Sequence, residues 1–199
     1  MDKTVKSNKK AFRQLSLMIA LSLMTQVITL LKSSVIASNF GATIEMDAFN
    51  FANSIGTFVF SFIGTGVTTV LIPAMINKKE NRTINNFITI LYAVSIACIS
   101  VIFFNRTFIA STFSKGTNKF IEITSNIMFI TVISQFFNTI LGVFNAVFQC
   151  KGKFNIPKVV TLATTTLLTF LIILNKGLSI YKYAFFIFIV AVVNMIIQG

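Results

Sequence analysis

A chain of 199 residues that is 55% hydrophobic and only 11% charged is too apolar for an ordinary soluble domain, in which about a quarter of residues carry charge. Its 17 Lys and Arg against 5 Asp and Glu give a net charge of +12. These cations fall between apolar blocks and form no basic run interleaved with aromatic platforms, which argues for membrane lipids and against nucleic acid as the partner. There is no His, and Cys98 and Cys150 are not at ligand spacing, so neither a metal set, a nucleophile–base pair nor a cofactor is expected and the chain does not read as an enzyme.

The apolar blocks are of membrane-spanning length, about 20 residues or more each, which predicts an all-α polytopic membrane protein with six transmembrane helices. Residues 1–12 form a basic N-terminus with Lys3, Lys6, Lys9 and Lys10. The first helix is expected over about residues 13–38; it is longer than the core of a cleaved signal peptide and lacks a small-residue cleavage site. Down one side it carries Ser22, Thr25, Gln26, Thr29, Lys32 and Ser33. After a turn at Gly41, the second helix spans about residues 47–77 and carries Asn50, Asn53, Thr57, Ser61, Thr65 and Thr68. Steps of three and four put each set on one helical face, so the two faces are expected to turn toward each other around something wet. Pro73 is positioned to kink the second helix near its end, and Gly64 with Gly66 suits close packing against a neighbour.

The third helix, over about residues 84–104, is nearly all apolar, and a polar loop is expected from Arg106 to Lys119. The fourth, over about residues 120–150, has the closest match to helical period: Gln135, Asn138, Gly142, Asn145 and Gln149. Lys151-Gly152-Lys153 is a short basic turn. Pro157 opens the fifth helix, over about residues 156–174, at a position where its missing N–H is harmless. The sixth is expected over about residues 183–199; it runs to the last residue without a polar exit, which suggests a longer protein. Eleven cations (Lys3, Lys6, Lys9, Lys10, Arg13, Lys78, Lys79, Arg82, Lys151, Lys153, Lys158) lie on the N-terminal side and six (Lys32, Arg106, Lys115, Lys119, Lys176, Lys182) on the other. The positive-inside rule therefore places the N-terminus in the cytoplasm.

Gln26-Val27-Ile28 through Lys32, Ala37, Phe40-Gly41-Ala42, Asp47-Ala48-Phe49 and Gly66 to Ile72-Pro73 resemble the first two helices of the MurJ/MviN family of lipid II flippases. Phe144-Asn145-Ala146, Gln149, Lys151-Gly152-Lys153-Phe154 and Pro157 resemble that family's junction between helices four and five. The resemblance implies one six-helix lobe of a two-lobe transporter in a bacterial cell membrane, with a C-terminal lobe as its partner. It also implies alternating access that carries an undecaprenyl-pyrophosphate-linked glycan from the inner to the outer leaflet. The family commonly has Arg where this chain has Gln26 and Lys32, so a related surface-polymer precursor stands beside lipid II as the cargo. A multidrug or metabolite exporter of the same superfamily, or a scaffold with dry polar faces, is the alternative.

The cavity set expected to meet the lipid-linked oligosaccharide pyrophosphate is Gln26, Thr29, Lys32, Asp47, Asn50, Asn53, Gln135, Asn138 and Asn145. Each has a second reading. Lys32 can snorkel to the interface, Asp47 can cap the second helix or act as a gate charge for Lys32, and the amides can serve as interhelical glue.

Overall fold

The computed structural model describes residues 2–77, 80–114, 116–175 and 177–199, with side chains from Phe12 onward. Lys78, Lys79, Lys115 and Lys176, which entered the charge count, lie outside the described residues. The described residues form helices joined by short turns: α1 Asp2–Phe40, α2 Ile44–Ile76, α3 Asn81–Ser114, α4 Asn118–Cys150, α5 Asn155–Leu174 and α6 Ile180–Gln198. Each contains a stretch long and apolar enough to cross a membrane.

Two expectations are corrected. The basic N-terminal segment from Asp2 belongs to α1, and the loop expected from Arg106 is helix as far as Ser114. Polarity at Asn105, Arg106 and Ser111 does not end α3, because each group finds a local partner. Asn105 Nδ2 donates to Val101 O at 2.9 Å, Ser111 Oγ donates to Phe108 O at 3.0 Å, and the Arg106 guanidinium sits 5.4 Å from the Phe103 ring centre. Meanwhile Ala110 is fully buried and Ile109 packs on the core, so the segment keeps an apolar face to bury.

The turns follow from local backbone chemistry. Thr43 caps α2, its Oγ1 accepting from Met46 N at 3.4 Å. At the far end of α4, Lys153 N donates to Phe148 O and Gly152 N to Gln149 O, both at 2.9 Å, which closes a Schellman motif with Gly152 at φ +68°. The two ends of the bundle are named below by Gly41, whose φ is +56°, and by Gly152.

Within α2, residues Val67–Leu71 form a π turn in which Ile72 N–H donates to Val67 O. Pro73 explains it. The ring has no N–H for the Thr69 carbonyl and crowds it, so the preceding turn widens by one residue.

The helix α4 is the hub. It packs along α2, α6 and α3, while α1 lies on α5 and α5 also meets α6. Its buried face mixes Ile127, Met128 and Val132 with Thr131, Ser134 and Thr139. Those hydroxyls are already bonded to their own helix, Ser134 Oγ to Ile130 O at 2.8 Å and Thr139 Oγ1 to Gln135 O at 3.1 Å. Small satisfied side chains let backbones approach without stranding a polar group. Outward, Leu23, Leu30, Ile96, Phe104, Phe108, Phe170 and Ile196 are exposed. Such an apolar surface on so many sides is stable only against lipid tails.

Candidate functional site

Near the Gly41 end, α1 and α2 scarcely touch and a cavity of about 420 Å³ lies between them. Lys32 and Ser33 of α1 and Asn50 and Asn53 of α2 line it together, with Phe49 and Tyr183 as an aromatic floor. Tyr183, from α6, is buried with its ring centre 4.9 Å from Phe49 and 5.8 Å from Phe40. The lining holds one cation and no carboxylate. The chemistry on offer is an ammonium, two amides and a hydroxyl above an apolar base.

From Asn53 the polarity continues along α4. Gln135 Nε2 donates to Asn53 Oδ1 and to Thr57 Oγ1, both at 3.2 Å, and Asn138 Nδ2 donates to Gln135 Oε1 at 3.2 Å. A glycine makes this possible. A Cβ at Gly56 would sit 3.2 Å from Gln135 Cγ and 3.7 Å from Val132 Cγ2, so only glycine lets α2 approach this closely without displacing the amide. Below the network, Thr57, Ser61, Gly64, Gln135, Asn138 and Gly142 border a smaller hollow of about 180 Å³. Gly64 and Gly142 both face open space. Gly64 thus widens a groove where close packing was expected of it; Gly56 is the packing glycine.

The polar row on α4 ends near Gly152. Asn145 and Gln149 border a third cavity, about 360 Å³, shared with Met18 of α1 and Lys158 of α5.

The expected residues separate accordingly. Lys32, Asn50 and Asn53 meet in one cavity, and Gln135 and Asn138 form the network beside it. Asn145 belongs to the cavity at the other end. Thr29 spends its hydroxyl on Thr25 O at 2.8 Å. Gln26 is exposed and, six residues from Lys32, is turned about 120° away from it on the helix. Asp47 is exposed in the first turn of α2, outside the Lys32 cavity, and the cap is Thr43. An ion pair at this end joins Lys119 Nζ and Glu45 Oε1 at 2.9 Å and ties α4 to α2. Tyr183, Gly56 and Lys158 were missed. Tyr183 looks like core in an apolar block, Gly56 is one of several glycines, and Lys158 reads as a loop charge.

A protein-family model described as MatE matches residues 18–175, well over half of the chain and including every residue of the three cavities except Tyr183. Neither the curated proteins nor the solved structures compared with the chain include a match. A lobe of apolar helices with a polar row running from one end to the other is the form a transporter takes, and the chain belongs to the MatE family, membrane transporters of the multidrug/oligosaccharidyl-lipid/polysaccharide exporter superfamily.

Proposed function

We propose that this transporter is a flippase for a lipid-linked glycan, an undecaprenyl-pyrophosphate-borne sugar such as lipid II or a related surface-polymer precursor. The reading has the cargo pass along the polar row of α4, with a second lobe closing the open side. The observation that carries it is Lys32 in a cavity with Asn50 and Asn53 and no carboxylate. A cationic drug would find no counter-charge in that lining, whereas a pyrophosphate would. One ammonium at about 4 Å is worth about 4 kcal/mol at an effective dielectric near 20, which offsets part of the cost of bringing a diphosphate into the passage. Asn50, Asn53 and Ser33 supply donors and acceptors for sugar hydroxyls. With the N-terminus in the cytoplasm, an inside-negative potential favours outward movement of the headgroup by about 2.3 kcal/mol per charge per 100 mV.

The test is delivery of lipid-linked glycan to the outer leaflet in cells depleted of their own flippase and expressing the full-length protein. Lys32→Ala is expected to abolish or greatly weaken delivery while leaving membrane insertion intact. Lys32→Arg is expected to retain it, because the charge is preserved. Undiminished delivery by Lys32→Ala would leave Lys32 as an interfacial anchor and favour an exporter of uncharged or cationic amphiphiles.

A further inference from the structure

The cavity near Gly152 mirrors the one near Gly41. Met18, which borders it, precedes Lys32 by 14 residues on α1, about 21 Å along the axis and just under four turns, so the two lie on nearly the same face. On α4, Gln135 and Gln149 are likewise 14 residues apart and border the middle and the far hollows. Each end cavity holds one lysine and two amides, Lys32, Asn50 and Asn53 at one end and Lys158, Asn145 and Gln149 at the other; Ser33, Phe49 and Tyr183 complete the polar and aromatic lining of the first, Thr161 and Phe154 that of the second. Neither lining contains a carboxylate.

One atom goes further. Asn145 Oδ1 is buried and has no hydrogen-bond partner. Buried acceptors without a partner are uncommon, and the side chain that carries this one borders a cavity. We infer that the Gly152-end cavity is a second binding site, for a phosphate group with a hydroxyl-bearing neighbour. Lys158 meets the phosphate as a point charge, and Gln149 can donate to its oxygens, while Thr161, whose hydroxyl donates to Pro157 O at 2.8 Å, can only accept. Phosphate oxygens alone cannot satisfy Asn145 Oδ1, which needs a donor, and a sugar or glycerol hydroxyl supplies one. An apolar ligand would leave both Lys158 and Asn145 unmet, and a cation would be repelled by Lys158. The site rests on the flippase reading only for the identity of the headgroup; on that reading it receives the cargo in the leaflet opposite the Lys32 cavity.

Binding to the purified full-length protein in nanodiscs tests this, with four probes that separate the possible sources: an undecaprenyl-pyrophosphate-linked sugar, undecaprenyl pyrophosphate without the sugar, phosphatidylglycerol and glucose 1-phosphate. Lys158→Ala is expected to weaken binding of the lipid-linked sugar about tenfold, as for loss of one charged hydrogen bond, with most of it restored by Lys158→Arg. Asn145→Leu is expected to weaken the sugar-bearing lipid more than undecaprenyl pyrophosphate without the sugar. A loss confined to phosphatidylglycerol or to glucose 1-phosphate upholds the site and assigns it to bulk lipid or to a free anion. Unchanged binding of all four probes by Lys158→Ala overturns it. If Lys32→Ala weakens binding and Lys158→Ala does not, this site fails and the proposed function stands; the reverse pattern keeps this site and removes the role of Lys32.

Discussion

At Gly56 a single hydrogen in place of a side chain decides where a polar network forms. The position is buried against Val132 and Gln135, and a Cβ there would crowd Gln135 Cγ at 3.2 Å. Gly56→Val is therefore expected to push α2 away from α4, at a cost of about 1–3 kcal/mol, and to break the bonds from Gln135 to Asn53 and Thr57. Gly64, with nothing within 4 Å of its would-be Cβ, gives the opposite expectation. Gly64→Ala is expected to leave stability unchanged or raise it by about 0.5–1 kcal/mol, the helix preference of Ala over Gly. Thermal unfolding in detergent checks both, and equal effects at the two positions would contradict the packing described. The sequence could not rank these glycines, because which one faces a neighbour depends on a crossing point set by long-range packing. It did show Lys32, Asn50 and Asn53 together, since helical period alone puts them on facing sides of consecutive helices. It grouped Gln26 with them too broadly, because that residue lies on the edge of the same polar stripe.

Among the elements, α2 and α3 carry the sharpest consequences. The π turn of α2 is a product of Pro73, and the hydroxyls of Thr68 and Thr69 bond to the Thr65 carbonyl at 3.0 and 2.8 Å just before it. Pro73→Ala restores the donor to Thr69 O, so Val67–Leu71 is expected to revert to α-helix with slower amide hydrogen exchange. Unchanged or faster exchange there would mean that something other than the proline holds the π turn. A disturbance of the helix was legible at Pro73, but its form as a widened turn was not, since widening a turn and bending it answer the same missing hydrogen bond. In α3 the residues from Arg106 to Ser114 read as part of a loop because their polarity reads as a stop signal. Their back-bonding to the helix and the buried Ala110 show why it was not one. Asn81 and Ser114 are thus the two ends of one membrane-crossing helix. Single cysteines at these positions, in a chain lacking Cys98 and Cys150, are expected to react with an impermeant thiol reagent from opposite sides, Ser114 from outside. Labelling of both from the same side would contradict a single crossing.

For the whole molecule the deciding contrast is between its apolar and its polar outer surfaces. The number of helices was legible because each crossing needs its own apolar block, a demand local to the sequence. The Gly152-end cavity was not, because α1, which brings Met18, lies far along the chain from α4 and α5, which bring Asn145 and Lys158. A dry scaffold would use the α4 amides only as glue, and the bonds from Gln135 to Asn53 and Thr57 fit that role as far as they go. The hollows do not, because Asn138, Ser61 and Gly64 border open space where a scaffold would pack. The central claim is that the polar row of α4 faces a water-filled route through the membrane. Its most direct test is the reactivity, in membranes, of Asn138→Cys toward a charged methanethiosulfonate reagent, compared with Phe104→Cys on the apolar face, both in a chain lacking Cys98 and Cys150. The account predicts rapid modification of the cysteine at 138 and none at 104. Protection of both positions alike would make the row a dry helix contact and contradict the account.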